Sequence, residues 1–121
     1  MQAKLSNTVK VYSLNREEVL TKLSKIAREL ISQDKNVLKI VLFGSLSNSN
    51  YSPHSDIDLL IILANDKRRR MDRIPQYLLY FLSVGLPVDV FPFTIEEVVK
   101  AGENSFFKRI NENGIILAQK E

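Results

Sequence analysis

The stretch Val37–Leu63 reads VLKIVLFGSLSNSNYSPHSDIDLLIIL, and its reading decides the fold. The first seven residues are β-rich and apolar apart from Lys39, which predicts a buried strand over Val37–Phe43 that ends at Gly44. A polar segment, 45–55, follows. Asp56-Ile-Asp-Leu-Leu-Ile-Ile-Leu63 then predicts a second strand, solid aliphatic after its two acids. Glycine at the end of a buried strand permits an unusual turn and a close approach of backbone to a ligand.

Upstream, Asn15 followed by Glu18 has the form of a capping box. Val19, Leu20, Leu23, Ile26, Ala27, Leu30 and Ile31 behind it keep helical spacing. Before them, Val9–Tyr12 reads as a short strand or an arm. Downstream, apolar positions 74, 77, 78, 81 and 82 predict a helix over Ile74–Val84, with Pro75 in its first turn and Gly85 as its stop. Val88–Phe93 reads as a third strand. Thr94 with Glu97 forms a second capping box, opening a helix over 95–101. Ser105–Asn113 reads as helix and Ile115–Ala118 as a last strand. The order α-β-β-α-β-α-α-β gives an α/β (α+β) fold, a mixed sheet with helices packed on it.

The chain has 121 residues, the size of one domain. With 45% apolar and 26% charged residues it is neither collagen-like nor wholly disordered. The net charge of +3 suggests an acidic partner until its position is considered. Lys67, Arg68, Arg69, Arg70 and Arg73 stand with Asp72 in seven positions, a local +4 that leaves the rest of the chain at −1. The absence of cysteine excludes disulfide frameworks, thiolate metal sites and thiol nucleophiles. The longest apolar run, Leu59–Ala64, falls far short of the ~20 residues that span a bilayer. The N-terminal MQAKLSNTVK has no signal-peptide core, so no membrane partner and a cytoplasmic location are expected.

Strand periodicity places Asp56 and Asp58 on one face, with Ile57 and Leu59 on the other. Two carboxylates side by side at the edge of a core are costly unless cations compensate them. All-oxygen donors point to Mg²⁺ or Mn²⁺, and the bland alternative is a pair of solvated acids at a strand start. Asp89, between Val88 and Val90, faces opposite to both valines. If its strand pairs with the second, three acids converge in an arrangement suited to phosphoryl or nucleotidyl transfer; otherwise Asp89 is a surface residue on an edge strand. Gly44-Ser45 reads either as a plain turn or as the start of a phosphate cradle.

Residues 42–59, Gly44-Ser45, a ten-residue polar loop and Ser55-Asp-Ile-Asp-Leu59, together with the later Pro87-Val-Asp-Val90, resemble the signature of the DNA polymerase β-like nucleotidyltransferases. The chain is similar in particular to their minimal nucleotidyltransferase (MNT) domains, over about residues 15–118. The resemblance implies a polymerase β-like palm, a mixed sheet with helices on one side. It implies Asp56, Asp58 and Asp89 as catalytic metal ligands for Mg²⁺ or Mn²⁺, and Gly44 and Ser45 as contacts to ATP or another nucleoside triphosphate. It further implies Asp89 as the acid nearest the attacking hydroxyl. Such domains often carry arginines and a glycine in the loop, where this chain has Leu46, Asn48 and Ser49. Each lost charge-assisted phosphate contact is worth about 1.5–3 kcal/mol.

The resemblance also implies a role as antitoxin beside a helical HEPN-type partner carrying the acceptor hydroxyl. The altered loop motivates an alternative, an antitoxin that acts by contact as a binding module. A small-molecule transferase is a third reading, weakened because such enzymes usually carry an additional substrate domain. The assignment leaves room for a homo-oligomer. His54 reads as a solvated loop residue that could touch substrate. The basic run reads as a docking surface or a solvated loop and helix start. No aromatic residues interleave it, so single-stranded nucleic acid gains no support as a partner.

Overall fold

Leu23, Ala27 and Leu30, spaced by four and three residues, need one apolar surface to cover them, and the sheet supplies it. In the computed structural model, which describes residues 16–47 and 57–121, they lie on helix α1 (Arg16–Gln33). The chain continues through β1 (Val37–Phe43), β2 (Ile57–Leu63) and α2 (Arg70–Leu78), which tightens into a 3-10 helix over Leu79–Val84. It closes with β3 (Val88–Thr94), α3 (Ile95–Ala101), α4 (Ser105–Asn113) and β4 (Ile115–Gln119).

The four strands stand in the order β3-β2-β1-β4. β1 is antiparallel to both neighbours, and β2 runs parallel to β3. The parallel pair needs a crossover, which α2 and its 3-10 extension provide. β2 sits inside the sheet and is apolar on both faces. Ile57, Leu59, Ile61 and Leu63 pack with α1, Tyr77 and Phe81, while Leu60 and Ile62 pack with Phe107 and Ile110 of α4. Full burial of each such side chain contributes about 1.5–3 kcal/mol.

This two-faced burial corrects the expectation of helices on one side. A strand with no polar face beyond Asp58 leaves a second apolar surface, and α3 and α4 cover it. The second correction concerns α2. It starts at Arg70 rather than Ile74, so Pro75 lies inside the helix and part of the basic run forms its first turn. The expected strand or arm over 1–14, and Asn15 of the first capping box, lie outside the described residues. The box at Thr94 is present, with Glu97 N–H donating to Thr94 Oγ1 at 3.2 Å and Thr94 N–H to Glu97 Oε1 at 2.8 Å.

Candidate active site

Register brings the acids of two strands together. Asp58 is paired with Phe43 on β1 and with Asp89 on β3. Partners across parallel strands share a face and lie about 4.8 Å apart along the hydrogen-bonding direction. Ile57, Leu59 and Val90 turn toward α1, whereas Leu60, Ile62, Phe91 and Phe93 join the opposite cluster; Asp58 and Asp89 follow the latter phase. The two carboxylates are therefore cross-strand neighbours, one half-buried and one exposed on the edge strand. Like charges in that relation repel unless a cation lies between them, and an all-oxygen set suits a hard divalent ion. Asp56, the third expected ligand, and His54 lie outside the described residues. Among those described, no three His, Cys, Asp or Glu converge as a metal-holding group.

Gly44 explains how Asp58 fits. Its φ is +83°, and a Cβ there would lie 2.5 Å from Asp58 Oδ2. The missing Cβ makes room for the Asp58 carboxylate. Ser45–Ser47 then form one 3-10 turn. Ser47 donates to Gly44 O from both N–H (3.1 Å) and Oγ (2.7 Å). Arg16 clamps the turn from α1, its Nε donating to Leu46 O at 2.8 Å and its guanidinium NH₂ to Ser47 O at 3.1 Å. Leu46 is 5% exposed and belongs to the α1-side core. A side chain so placed faces the core and not a phosphate. Asn48 and Ser49 fall outside the described residues.

Beside Gly44 a cleft of about 310 Å³ separates the end of β1 from α4. Phe43, Gly44 and Ser47 form one wall; Phe106, Arg109, Ile110 and Asn113 form the other. Positions 106, 109, 110 and 113 recur at the spacing of one helix face, a periodicity legible in the sequence but not read there as a site. Aromatic rings meet across the cleft, with Phe43 and Phe106 centroids 5.5 Å apart, and Phe43 also packs on Phe91 at 5.3 Å. Gly114 lets α4 lie close on β1, since a Cβ there would meet Ile110 O at 2.6 Å and Val41 Cγ1 at 2.7 Å. A second hollow of about 300 Å³ follows the open side of β3, and Asp89 lines it together with Arg70, Ile74 and Leu78.

The basic run is mostly consumed by the fold. Arg73 is 3% exposed, pairs with Glu97 at 2.7 Å and donates to Pro92 O at 3.0 Å. Its hydrogen bonds hold the Glu97 carboxyl down at about 2, against an ordinary 4.5. Arg68 pairs with Asp66 at 2.7 Å and lowers the Asp66 carboxyl in the same way. Arg69 pairs with Asp72 at 3.1 Å, and the Arg70 guanidinium lies 4.3 Å from the centre of the Phe93 ring. Arg73 is thus neither a docking contact nor a solvated loop residue.

A family profile described as a nucleotidyltransferase domain matches residues 22–117. No curated protein matches the chain. A solved structure from Sulfolobus solfataricus, described as a candidate nucleotidyltransferase, superposes with a TM-score of 0.63 at 20% identity, over 87% of this chain and 84% of that one. A toxin–antitoxin structure with AMP-PNP gives 0.55 at 19% identity, over 84% of this chain and 74% of that one. A toxin–antitoxin structure of MntA-HepT gives 0.53 at 17% identity, over 86% and 73%. At these identities the solved structures establish a shared fold.

Proposed function

We propose that this chain, which belongs to the nucleotidyltransferase domain family, moves AMP from ATP to a hydroxyl on a helical partner protein as the antitoxin of a toxin–antitoxin pair. Membership gives the reaction class, transfer of a nucleotide from a nucleoside triphosphate. The toxin–antitoxin neighbours, one of them with AMP-PNP, support the finer reading. The observation that carries the site is the register pairing of Asp58 with Asp89 on one face beside Gly44.

In the reaction the acceptor oxygen attacks the α-phosphorus, the bond to the β-phosphate bridging oxygen breaks, and pyrophosphate leaves. Asp58, Asp89 and Asp56 are the residues that would hold Mg²⁺ or Mn²⁺. Such an ion, when bound, supplies charge neutralisation for the entering and leaving oxygens and lowers the acceptor hydroxyl's pKa. Asp89, on the edge strand and open to solvent, is the carboxylate placed to take the proton from an arriving hydroxyl. Asp58 is fixed from two sides, by the β1 and β3 ladders and by the missing Cβ of Gly44, and orients the α-phosphate end.

The burial of Leu46 favours a second reading, an antitoxin that acts by contact with little catalysis, because that position contributes nothing to triphosphate grip. One experiment separates the two. The chain is incubated with Mg²⁺, ATP labelled at the α- or γ-phosphate, and the helical protein encoded beside it. Transfer predicts label on the partner from α-labelled ATP only, abolished by Asp58→Ala with Asp89→Ala. Equal labelling by the double variant contradicts transfer at this site, and no labelling at all supports the contact reading.

A further inference from the structure

We propose that Arg109 is the phosphate-binding cation of this site, so that the nucleotide lies in the cleft between β1 and α4 with its phosphates against the Arg109 guanidinium. This deepens the nucleotide-transfer reading and rests on it.

A triphosphate carries more negative charge than the divalent ions at a carboxylate cluster offset, so a protein cation is needed beside them. Leu46, adjacent to Ser45, is packed into the core and cannot serve. Arg16 is turned to the 3-10 segment, its Nε and one terminal nitrogen donating to the Leu46 and Ser47 carbonyls. Arg68 is paired with Asp66, Arg69 with Asp72, and Arg73 with Glu97. Arg109 forms no ion pair among the described residues and lines the cleft that Gly44 also lines.

The geometry around it is built rather than incidental. Gly44 lines the cleft and, at its Cβ position, adjoins the Asp58 carboxylate, so a ligand in the cleft lies next to Asp58. The close packing of α4 on β1 at Gly114 fixes the wall that carries Arg109. Phe106 presents an aromatic surface one turn before Arg109, and Asn113 adds an amide one turn after it, on the same face. About 310 Å³ falls within the range of small-molecule sites. A guanidinium, planar and always charged, suits phosphate oxygens that it can grip with two parallel N–H donors.

The test is calorimetric titration of the chain with the magnesium complex of α,β-methylene-ATP, a triphosphate that cannot be cleaved at the reacting bond. Wild type is compared with Arg109→Ala, Arg109→Lys and Asp58→Asn, each checked by thermal melting. Arg109 is exposed, so its alanine variant should melt as wild type does. The inference predicts affinity about tenfold to a hundredfold weaker in Arg109→Ala, the loss expected for one charge-assisted contact, with part of it recovered in Arg109→Lys. It also predicts a shallower salt dependence of binding in Arg109→Ala. Wild-type-like binding by Arg109→Ala, with binding lost in Asp58→Asn, overturns the inference and leaves the nucleotide reading standing. Absence of nucleotide binding by the wild type overturns both.

Discussion

At Gly44 the absence of one methyl group decides where the Asp58 carboxylate can sit. The residue stands at φ +83°, a region that costs an L-residue about 1–2 kcal/mol, and an added Cβ would strike Asp58 Oδ2 at 2.5 Å. Gly44→Ala therefore carries two penalties. We expect a stability loss of about 1–2 kcal/mol in chemical denaturation. We also expect a loss of Mg²⁺-nucleotide binding larger than the fraction unfolded explains, because the carboxylate must move. A variant that loses stability but binds nucleotide as wild type does would show that Asp58 has no part in the grip. Gly85 has a similar φ of +82° but nothing within 4 Å of its Cβ position, so alanine there tests the backbone cost alone.

Among the elements, α2 and α3 are joined by a single ion pair with a pH signature. Glu97 closes the Thr94 capping box and also receives Arg73, whose hydrogen bonds hold its carboxyl at about 2 against an ordinary 4.5. A carboxyl whose folded value is depressed stabilises the fold fully above its unfolded value and loses that contribution as pH falls through the folded one. Thermal melting should thus decline as pH drops from about 4.5 toward about 2. Glu97→Gln should melt lower at neutral pH and show a flatter decline over that window. An unchanged decline in the variant would assign the acid limb to other carboxylates.

The same elements show which parts of the fold could be read in advance. Helices α3 and α4 have the expected bounds, 95–101 and 105–113, because their starts are encoded locally: Thr94 and Asn104 accept from backbone N–H groups three residues on. Strand β1 is bounded by its own apolar run and Gly44. The start of α2 is not local. Arg70 to Arg73 look solvated by composition, and only the distant Pro92 carbonyl and Glu97 make Arg73 a buried anchor. In the candidate site, the juxtaposition of Asp58 and Asp89 was legible through period two and strand pairing. The place of Arg109 in the cleft was not, because that cleft exists only where α4 closes over the second face of the sheet.

At the scale of the molecule, the sheet divides labour between its two faces and its edges. The α1 face holds the larger core; the other face combines a smaller aromatic core with the acidic pair at one end. The outer side of β3 is blunted by Pro92, which offers no N–H, and by Arg73 capping the Pro92 carbonyl, so strand addition there is disfavoured. Among the described residues no helix is long and apolar enough to cross a membrane. The surplus positive charge that composition suggested as a partner surface is largely tied into Asp66, Asp72 and Glu97. What remains on the second face is the pair of Asp58 and Asp89, with Arg109 lining the cleft beside Gly44, the arrangement proposed above to take a metal-nucleotide complex.

The central claim is that Asp58 and Asp89 together hold a divalent ion with the nucleotide. Manganese binding followed by electron paramagnetic resonance, with and without α,β-methylene-ATP, tests it without requiring any acceptor. The account predicts tight Mn²⁺ binding by wild type that depends on the nucleotide, weakened at least tenfold by Asp58→Asn and by Asp89→Asn, as expected when a charged metal ligand is lost. Mn²⁺ bound equally by wild type and both variants in the presence of nucleotide would contradict it.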